Sequence, residues 1–420
     1  MISTSTSVSG LRFPAYSRLQ KTSSELSVLK RDYEGYRPTI HYRVRPLRLR
    51  KGLLASTDAQ HAETEKGFHF LSTSSFDVRD VGVDLLSPAG PDYDTVQRNL
   101  ALEIVRVTEA AALAAGKWQG KGDKNAADKA AVDQMRKVLN TIRMDGTVVI
   151  GEGEKDEAPM LYCGERVGDG SFPQVDIAVD PLDGTTLTAT GREGAIAVIA
   201  IAEKGALFDP GPCVYMDKIA VGPEVLPHSI SLDYSVKRNL LAVAEAKRKT
   251  LSEVTIVILD RPRHEDLIRE VREAGARIKL ISDGDVAAAI EVSRPGTSVD
   301  VLMGVGGTPE GVIAAAALKC MGGTMQGRLA PRTEAERERA VELGYDVGKI
   351  LFIEDLCGGE KVFFAATGVT DGNLLRGVRY FGGGANTNSI VMRAESGTVR
   401  VMDTTHRWSK PGVTNLHHCR

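Results

Sequence analysis

Short apolar runs that end in charged or polar residues recur along much of the chain. Five of these runs predict buried β-strands, at residues 147–150, 175–179, 254–259, 277–281 and 299–302. Before the first of them, apolar residues three to four positions apart predict an amphipathic helix over residues 95–116. A second helix follows, on which Val132, Met135 and Leu139 form one apolar stripe. Strands that alternate with helices are typical of an α/β fold.

The C-terminal part of the chain follows a different pattern. Residues 330–348 are rich in Arg and Glu and predict a surface helix. Between residues 361 and 401, short segments in which apolar and polar positions alternate predict antiparallel strands. The fold class predicted from the whole pattern is therefore mixed, with α/β and α+β parts.

Each of the five predicted strands delivers polar side chains where it ends. The groups concerned are Glu152, Asp180, Asp183, Arg261, Arg263, Asp283, Asp285 and Glu310. Asp128 joins them, because it lies four residues before Val132 and therefore on the inward face of its helix. In open α/β sheets, ligands bind beyond the carboxyl ends of the strands. We therefore expect these side chains to form the rim of one active site.

The rim groups are of two chemical kinds. Five are hard oxygen ligands: Asp128, Glu152, Asp180, Asp183 and Glu310. Carboxylates without His or Cys beside them favour Mg²⁺ or Mn²⁺ over zinc. The cations Arg261, Arg263 and Lys124, with the helix N-termini after glycine-rich loops, suit an anion. Together they predict a phosphate bridged by divalent metals, and hence hydrolysis of a phosphoester.

The most specific stretch is DPLDGT at residues 180–185. Pro181 should set a turn that lets the two aspartates converge on one ion, and Gly184 should let the backbone approach a phosphate. This pattern resembles the lithium-sensitive, metal-dependent phosphatase superfamily, which includes inositol monophosphatases and fructose-1,6-bisphosphatases. The resemblance implies a layered α-β-α-β-α sandwich.

Other segments indicate the branch of that superfamily. They are GDKNAAD at 122–128, GEGE at 151–154, RPRH at 261–264, DGD at 283–285 and GGTPEG at 306–311. The chain has no W-D-x-A-A segment of the kind that inositol monophosphatases use. From about residue 93 to 406, the chain resembles the class II (GlpX-type) fructose-1,6-bisphosphatases. It also resembles their cyanobacterial relatives that hydrolyse both fructose-1,6- and sedoheptulose-1,7-bisphosphate.

This resemblance implies a role for each matching position. Asp128 and Glu152 would hold one Mn²⁺ or Mg²⁺ ion. Asp180, Asp183 and Glu310 would hold a second. Thr185 with a metal-bound water would form the attacking assembly, with Asp128 and Lys124 as further catalytic residues and with Asp156 and Glu157 nearby. The substrate-binding positions would be Asp183, Gly184, Thr185, Tyr215, Arg261, Pro262, Arg263, Asp283, Gly284, Asp285 and Gly307.

The family resemblance also implies a domain plan and an assembly. A metal- and phosphate-binding α+β domain would span residues 79–245, and an α/β domain for the sugar phosphate would span residues 246–420. The partner would be a small sugar bisphosphate, in the Calvin cycle or in gluconeogenesis. Relatives of this kind assemble, so we expect a homodimer or homotetramer.

Charge and composition exclude other classes and indicate a destination. With 53 Lys and Arg against 55 Asp and Glu, the chain does not have the basic excess of a nucleic-acid binder. No run approaches 18 consecutive apolar residues, so we expect no membrane span. Residues 1–57 carry eleven Lys and Arg against three acids and are rich in Ser, which is typical of a transit peptide. We expect residues 1–78 to direct the protein to the plastid stroma, with the mitochondrion or the cytoplasm as alternatives; a disordered basic extension that stays on the protein is the other interpretation of this segment.

Three other functions remain to be weighed. An inositol-phosphate-type phosphatase is disfavoured because the W-D-x-A-A segment is missing. A non-catalytic sugar-phosphate sensor would have no physical reason to keep five mutually repelling acids. Gly304, Gly306 and Gly307 also resemble the glycine-rich G-x-G-x-x-G motif of nucleotide-binding dehydrogenases. In this chain, however, Pro309 occupies the position of that motif's last glycine.

Overall fold

The computed structural model describes residues 93–153 and 160–408, and for residues 93–99 it describes the backbone alone. The predicted transit segment lies outside these residues, as do Asp156 and Glu157. Within the described residues there are nine α-helices: α1 (Tyr93–Ala115), α2 (Lys124–Leu139), α3 (Thr185–Thr190), α4 (Val236–Lys247), α5 (Glu265–Ala274), α6 (Val286–Glu291), α7 (Thr308–Met321), α8 (Glu334–Glu342) and α9 (Ile353–Leu356).

The same residues form fourteen strands. These are β1 (Asp145–Ile150), β2 (Arg166–Val167), β3 (Gln174–Asp183), β4 (Ile196–Glu203), β5 (Tyr215–Val221), β6 (Thr255–Leu259), β7 (Arg277–Ile281), β8 (Val301–Gly307), β9 (Thr324–Leu329), β10 (Leu351–Phe352), β11 (Phe363–Gly368), β12 (Arg379–Phe381), β13 (Gly384–Arg393) and β14 (Thr398–Arg407). The mixed α/β class, the two N-terminal helices and the five strands are confirmed. β8 differs in detail, because it continues through the glycines that were expected to form a loop.

Two mixed sheets hold these strands. The first sheet has eight strands in the order β12-β13-β11-β4-β3-β1-β2, and β14 pairs with β13. The second has six, in the order β10-β9-β5-β8-β6-β7. The pairs β1–β3, β6–β7 and β6–β8 are parallel, whereas the neighbours β3–β4 and β5–β8 are antiparallel.

Both sheets draw strands from both sides of residue 245. β5 precedes this point but lies in the second sheet, and β11 to β14 follow it but lie in the first sheet. The predicted boundary between residues 245 and 246 therefore does not separate the two sheets. Whether residues 79–245 and 246–420 act as domains stays a prediction.

Three apolar clusters fill the space around the sheets. One joins α1 and α2 to one face of the first sheet, through residues such as Ile104, Met135 and Ile177. A second contains residues of both sheets and of α6 and α7, including Val198 and Ile313. The third packs α4 and α5 on the second sheet. Strand β4 is apolar on both faces because its even-numbered residues enter the second cluster and its odd-numbered residues enter the first.

The described residues contain no helix with the length and hydrophobicity needed to cross a membrane.

Candidate active site

A cavity of about 450 Å³ is lined by residues from both sheets. The predicted site residues that line it are Asp128, Glu152, Asp180, Asp183, Gly184, Thr185, Tyr215, Arg261, Arg263, Asp283, Gly284, Asp285, Gly307 and Glu310. Two predicted site residues are not among the lining residues. Lys124 is exposed at the start of α2, and Pro262 is exposed at the start of a 3₁₀ helix.

The five predicted strands all lead to this cavity, but they do not share one sheet. β1 and β3 approach it from the first sheet, and β6, β7 and β8 approach it from the second. Sequence periodicity gives no information on which strands pair, so the sequence predicted a single rim. The site instead lies where the ends of strands from two sheets face a common space.

A β-bulge places both aspartates of the DPLDGT segment at the cavity. In a regular strand, residues three apart point to opposite faces. In β3, Asp180 stands opposite Val198 of β4 and Asp183 stands opposite Ile196, so β3 holds one residue more than its partner. The backbone N–H of Leu182 donates to Asp180 Oδ1 at 3.0 Å. The predicted turn at Pro181 is therefore a bulge within the strand.

The start of helix α7 adds Glu310, in its first turn, to the carboxylates at the cavity. A Cβ atom on Gly307 would lie 1.7 Å from Glu310 Oε2, so any larger residue would force this carboxylate to move. Glu310 Oε2 is buried without a hydrogen-bond partner, and the same is true of Asp183 Oδ2. Buried carboxylate oxygens without a hydrogen-bond partner are rare, so two of them at one cavity indicate that a bound ligand supplies the missing partner.

Burial raises the pKa of all five carboxyl groups, and repulsion by neighbouring acids adds to the rise at Glu152, Asp180, Asp183 and Glu310. Burial, followed by the charges of Asp128 and Glu310, raises the pKa of Glu152 to about 7. Burial and the neighbouring acids hold the pKa values of Asp180 and Asp183 well above their usual range. Burial also raises the pKa of Asp128 and of Glu310. A cation among these groups would reverse the shifts, because it favours the ionised forms.

The carboxylates at the cavity match a divalent metal in charge and in ligand type, but their present side-chain positions do not form a complete coordination site. Within the described residues, no three Asp, Glu, His or Cys side chains form a group that could hold a metal ion. Oxygen-only ligands suit Mg²⁺ or Mn²⁺, and the orphaned oxygens of Asp183 and Glu310 are the observations that favour a cation. Which residues bind which ion stays a prediction.

A loop from the second sheet closes the cavity against the DPLDGT segment. The backbone N–H of Thr186 donates to Asp283 Oδ2 at 3.3 Å, and Arg261 Nη2 lies 3.5 Å from Asp283 Oδ1. Gly284 has a φ of +66°, and a Cβ atom there would lie 2.8 Å from Asp183 Oδ1. Glycine is therefore needed both for its backbone angle and for the close approach.

Arg261 and Arg263 also line the cavity, and Arg263 lies beside Tyr215. The Arg263 guanidinium is 5.1 Å from the centre of the Tyr215 ring and donates two hydrogen bonds to the carbonyl of Val305. His264, interpreted from the sequence as structural, fixes this segment. It contacts the Leu259 carbonyl through Nδ1 at 2.7 Å and accepts from the Val305 N–H at Nε2.

Two residues near the site were not found from the sequence. Lys218 is buried and ion-paired with Asp285 at 2.6 Å. Its signal was a lysine directly before the apolar run Ile219–Val221. Arg332 has its guanidinium 5.3 Å from the Tyr215 ring, and nothing local in the sequence predicts that contact.

A mixed α/β fold whose cavity combines several carboxylates with arginines is typical of metal-dependent phosphatases of small anionic substrates. The family model for bacterial fructose-1,6-bisphosphatase, glpX-encoded, matches residues 98–406. The chain belongs to this family.

Curated relatives agree with that membership. The chain is 48% identical over 336 residues to a D-fructose 1,6-bisphosphatase class 2/sedoheptulose 1,7-bisphosphatase of Synechococcus sp. strain JA-3-3Ab, which covers 74% of this chain and 96% of the relative. It is 45% identical over 343 residues to the protein of the same name from Synechocystis sp. strain PCC 6803, covering 76% of this chain and 99% of the relative.

Proposed function

We propose that the protein hydrolyses the 1-phosphate of fructose-1,6-bisphosphate and the corresponding phosphate of sedoheptulose-1,7-bisphosphate, releasing phosphate and the sugar monophosphate. The observation that carries this proposal is the combination of groups that line one cavity. They are five carboxylates together with Arg261, Arg263 and Tyr215. A substrate with two phosphates matches both kinds of group, because one phosphate can bind metal ions held by the carboxylates and the other can bind the arginines.

The arginines would hold the distal phosphate. Arg263 has no carboxylate among its described partners, since its guanidinium donates only to a backbone carbonyl. A guanidinium presents a planar set of donors that matches phosphate oxygens. The sugar would lie between the two ends, against residues 283–285 and Gly307. This arrangement leaves the 1-phosphate beside Asp183, Gly184 and Thr185.

The five carboxylates would hold the metals at which the phosphate is cleaved. Asp128 and Glu152 would hold one ion, and Asp180, Asp183 and Glu310 a second. When bound, two Mn²⁺ or Mg²⁺ ions supply activation of water and neutralisation of phosphoryl charge. The Thr185 hydroxyl would orient the attacking water, and Lys124 would reach the phosphate from the exposed start of α2.

The test is phosphate release by the purified protein with Mn²⁺ or Mg²⁺. Fructose-1,6-bisphosphate, sedoheptulose-1,7-bisphosphate and inositol-1-phosphate are compared in parallel, and Asp180→Ala protein purified in the same way controls for contaminating phosphatases. Turnover of both ketose bisphosphates is expected. Turnover of inositol-1-phosphate alone would favour the inositol-phosphate alternative, and binding of a bisphosphate without any turnover would favour the sensor.

We also infer the α-β-α-β-α sandwich of the lithium-sensitive phosphatase superfamily. The three apolar clusters support it: they alternate with the two sheets, and the middle one contains residues of both sheets. For assembly we infer a homodimer or homotetramer. Exposed apolar side chains on β12 and β14, including Phe381 and Val401, support a surface that a second copy covers. Light scattering of the purified protein tests the assembly.

For residues 1–78 we infer a plastid transit peptide, on the basic and serine-rich composition described above. Fusing these residues to a fluorescent protein and offering the product to isolated chloroplasts and mitochondria tests the inference. Import and cleavage by chloroplasts alone is expected. Import by mitochondria alone, or by neither organelle, would point to the alternative locations.

A further inference from the structure

A buried lysine stands behind the sugar side of the cavity. Of the described residues, Lys218 is the only lysine or arginine that is buried, with 2% of its side chain exposed. Its ammonium Nζ lies 2.6 Å from Asp285 Oδ2 and donates to the carbonyl of Gly307 at 3.0 Å. Both contacts therefore go to segments that line the cavity.

Stability alone does not account for this lysine. On β5, Lys218 alternates with Met216 and Ala220, which belong to the apolar cluster between the sheets. A charge in such a place is costly unless it is paired, and replacing a buried ion pair with apolar residues often leaves a protein as stable as before. Stability alone would be served as well by apolar residues of similar volume in place of both Lys218 and Asp285. The ammonium group is therefore better explained by a role at the cavity.

Asp285 shows what the ammonium holds. Asp285 occupies the N-cap position of α6, where an aspartate usually accepts from the backbone of the first turn, yet its side chain makes no such bond. Its carboxylate is turned to Lys218 instead. A Cβ atom on Gly306 would lie 2.2 Å from Asp285 Oδ2 and 2.9 Å from Lys218 Nζ. The backbone of β8 thus closes directly over the ion pair and limits its movement.

We propose that Lys218 is a positioning residue that fixes the Asp285 carboxylate for the sugar of the substrate. The ion pair engages Oδ2, so Oδ1 can accept a hydrogen bond from a sugar hydroxyl. The ammonium also neutralises Asp285, which lets this carboxylate face a doubly phosphorylated substrate without adding net repulsion. The bond to Gly307 joins Asp285 to the segment that leads into Glu310. This inference rests on the proposed function, because the sugar is its ligand.

The first test separates the hydrogen bond from the charge. In the full chain with Mn²⁺, Lys218→Met removes both, whereas Lys218→Gln keeps a neutral donor on a side chain one bond shorter. Loss of a hydrogen bond to a charged group corresponds to about a tenfold step or more, so Lys218→Met should raise KM for fructose-1,6-bisphosphate at least about tenfold. The value of kcat should change much less, and Lys218→Gln should raise KM less than Lys218→Met does.

A double-variant comparison shows whether Lys218 acts through Asp285. In Asp285→Asn protein the carboxylate that the lysine holds is gone, so adding Lys218→Met should change KM by less than about twofold. An equal rise in KM with and without Asp285→Asn would overturn the positioning role. Should Lys218→Met not fold, the double variant, which buries no unpaired carboxylate, still provides the comparison with Asp285→Asn.

Mn²⁺ affinity distinguishes loss of positioning from general loosening of the structure, because loosening would lower it. The positive charge of Lys218 lies close enough to Asp183 and Glu310 to act on both, so it would also repel a cation that they bind. Removing this charge should therefore leave Mn²⁺ affinity, measured by titration calorimetry at pH 8 without substrate, unchanged or higher. A loss of Mn²⁺ affinity in Lys218→Met would overturn the inference. An active wild type with unchanged KM in the variants overturns this inference alone, whereas a wild type inactive on bisphosphates overturns the proposed function with it.

Discussion

Replacing Glu152 by Gln should stabilise the metal-free protein at alkaline pH, although it removes a side chain that we assign to metal binding. In the absence of metal, Glu152 is ionised at the cost of burial and of repulsion by Asp128 and Glu310. Glutamine has the same shape and carries no charge. The variant therefore lacks the unfavourable ionisation that the wild type undergoes as the pH rises.

The expected size follows from the pKa of Glu152, which rises from 4.5 to about 7 on folding. At 1.36 kcal/mol per pH unit, this difference corresponds to about 3 kcal/mol. Because the native state binds this proton more tightly than the unfolded chain, the contribution to stability is fully present below pH 4.5 and is lost as the pH rises through about 7. The stability advantage of Glu152→Gln should grow from less than about 1 kcal/mol at pH 5 to about 3 kcal/mol at pH 8.

Urea unfolding in EDTA at pH 5 and at pH 8 measures this difference. Glu245→Gln, made at an exposed position on α4, is the matched control and should track the wild type at both pH values. Adding Mn²⁺ at pH 8 should then reverse the order, because a ligand that binds the native state stabilises it and the variant has lost part of the site. An advantage of the same size at pH 5 and pH 8, or equal stabilisation of both proteins by Mn²⁺, would refute the reasoning.

Three further predictions address the carboxylates and the arginines that line the cavity. Asp180→Ala should abolish turnover by removing a proposed metal ligand, and activity above about a tenth of wild type, less than one tenfold step, would contradict that role. Arg261→Ala should raise KM far more for bisphosphates than for monophosphates, and equal rises would remove its assignment to the distal phosphate. Gly307→Ala should lower kcat/KM by more than about tenfold, because the new Cβ must displace Glu310. Gly382→Ala, where a Cβ meets no atom within 4 Å, should leave kcat/KM unchanged.

Much of the local structure and most of the lining residues could be predicted from the sequence. The helix expected at residues 95–116 is α1, Tyr93–Ala115, and the strand expected at 277–281 is β7. These elements carry their own periodicity, so their apolar faces can be read without knowledge of the partners. The charged groups at strand ends were found for the same reason, because each directly follows a recognisable strand.

What the sequence did not predict depends on contacts between distant segments. The division of the strands between two sheets follows from pairings such as β4 with β11, whose residues are more than 150 positions apart. Lys218 becomes a site residue only because Asp285 and Gly307 meet it from two other segments. Arg332 reaches Tyr215 through the pairing of β5 with β9, which brings Leu329 opposite Met216. Local periodicity contains none of these relations.

The bulge in β3 shows how the fold makes such a site from short motifs. Aspartates three residues apart on a regular strand would divide between the cavity and the apolar cluster behind it, where an unpaired carboxylate is costly. One extra residue opposite β4 brings both Asp180 and Asp183 to the cavity, and Gly284 then approaches from the second sheet. The acidic wall thus depends on a defect in one sheet and on a close contact from the other. Deleting the extra residue should therefore lower activity more than it lowers the content of secondary structure, because only the direction of one aspartate changes.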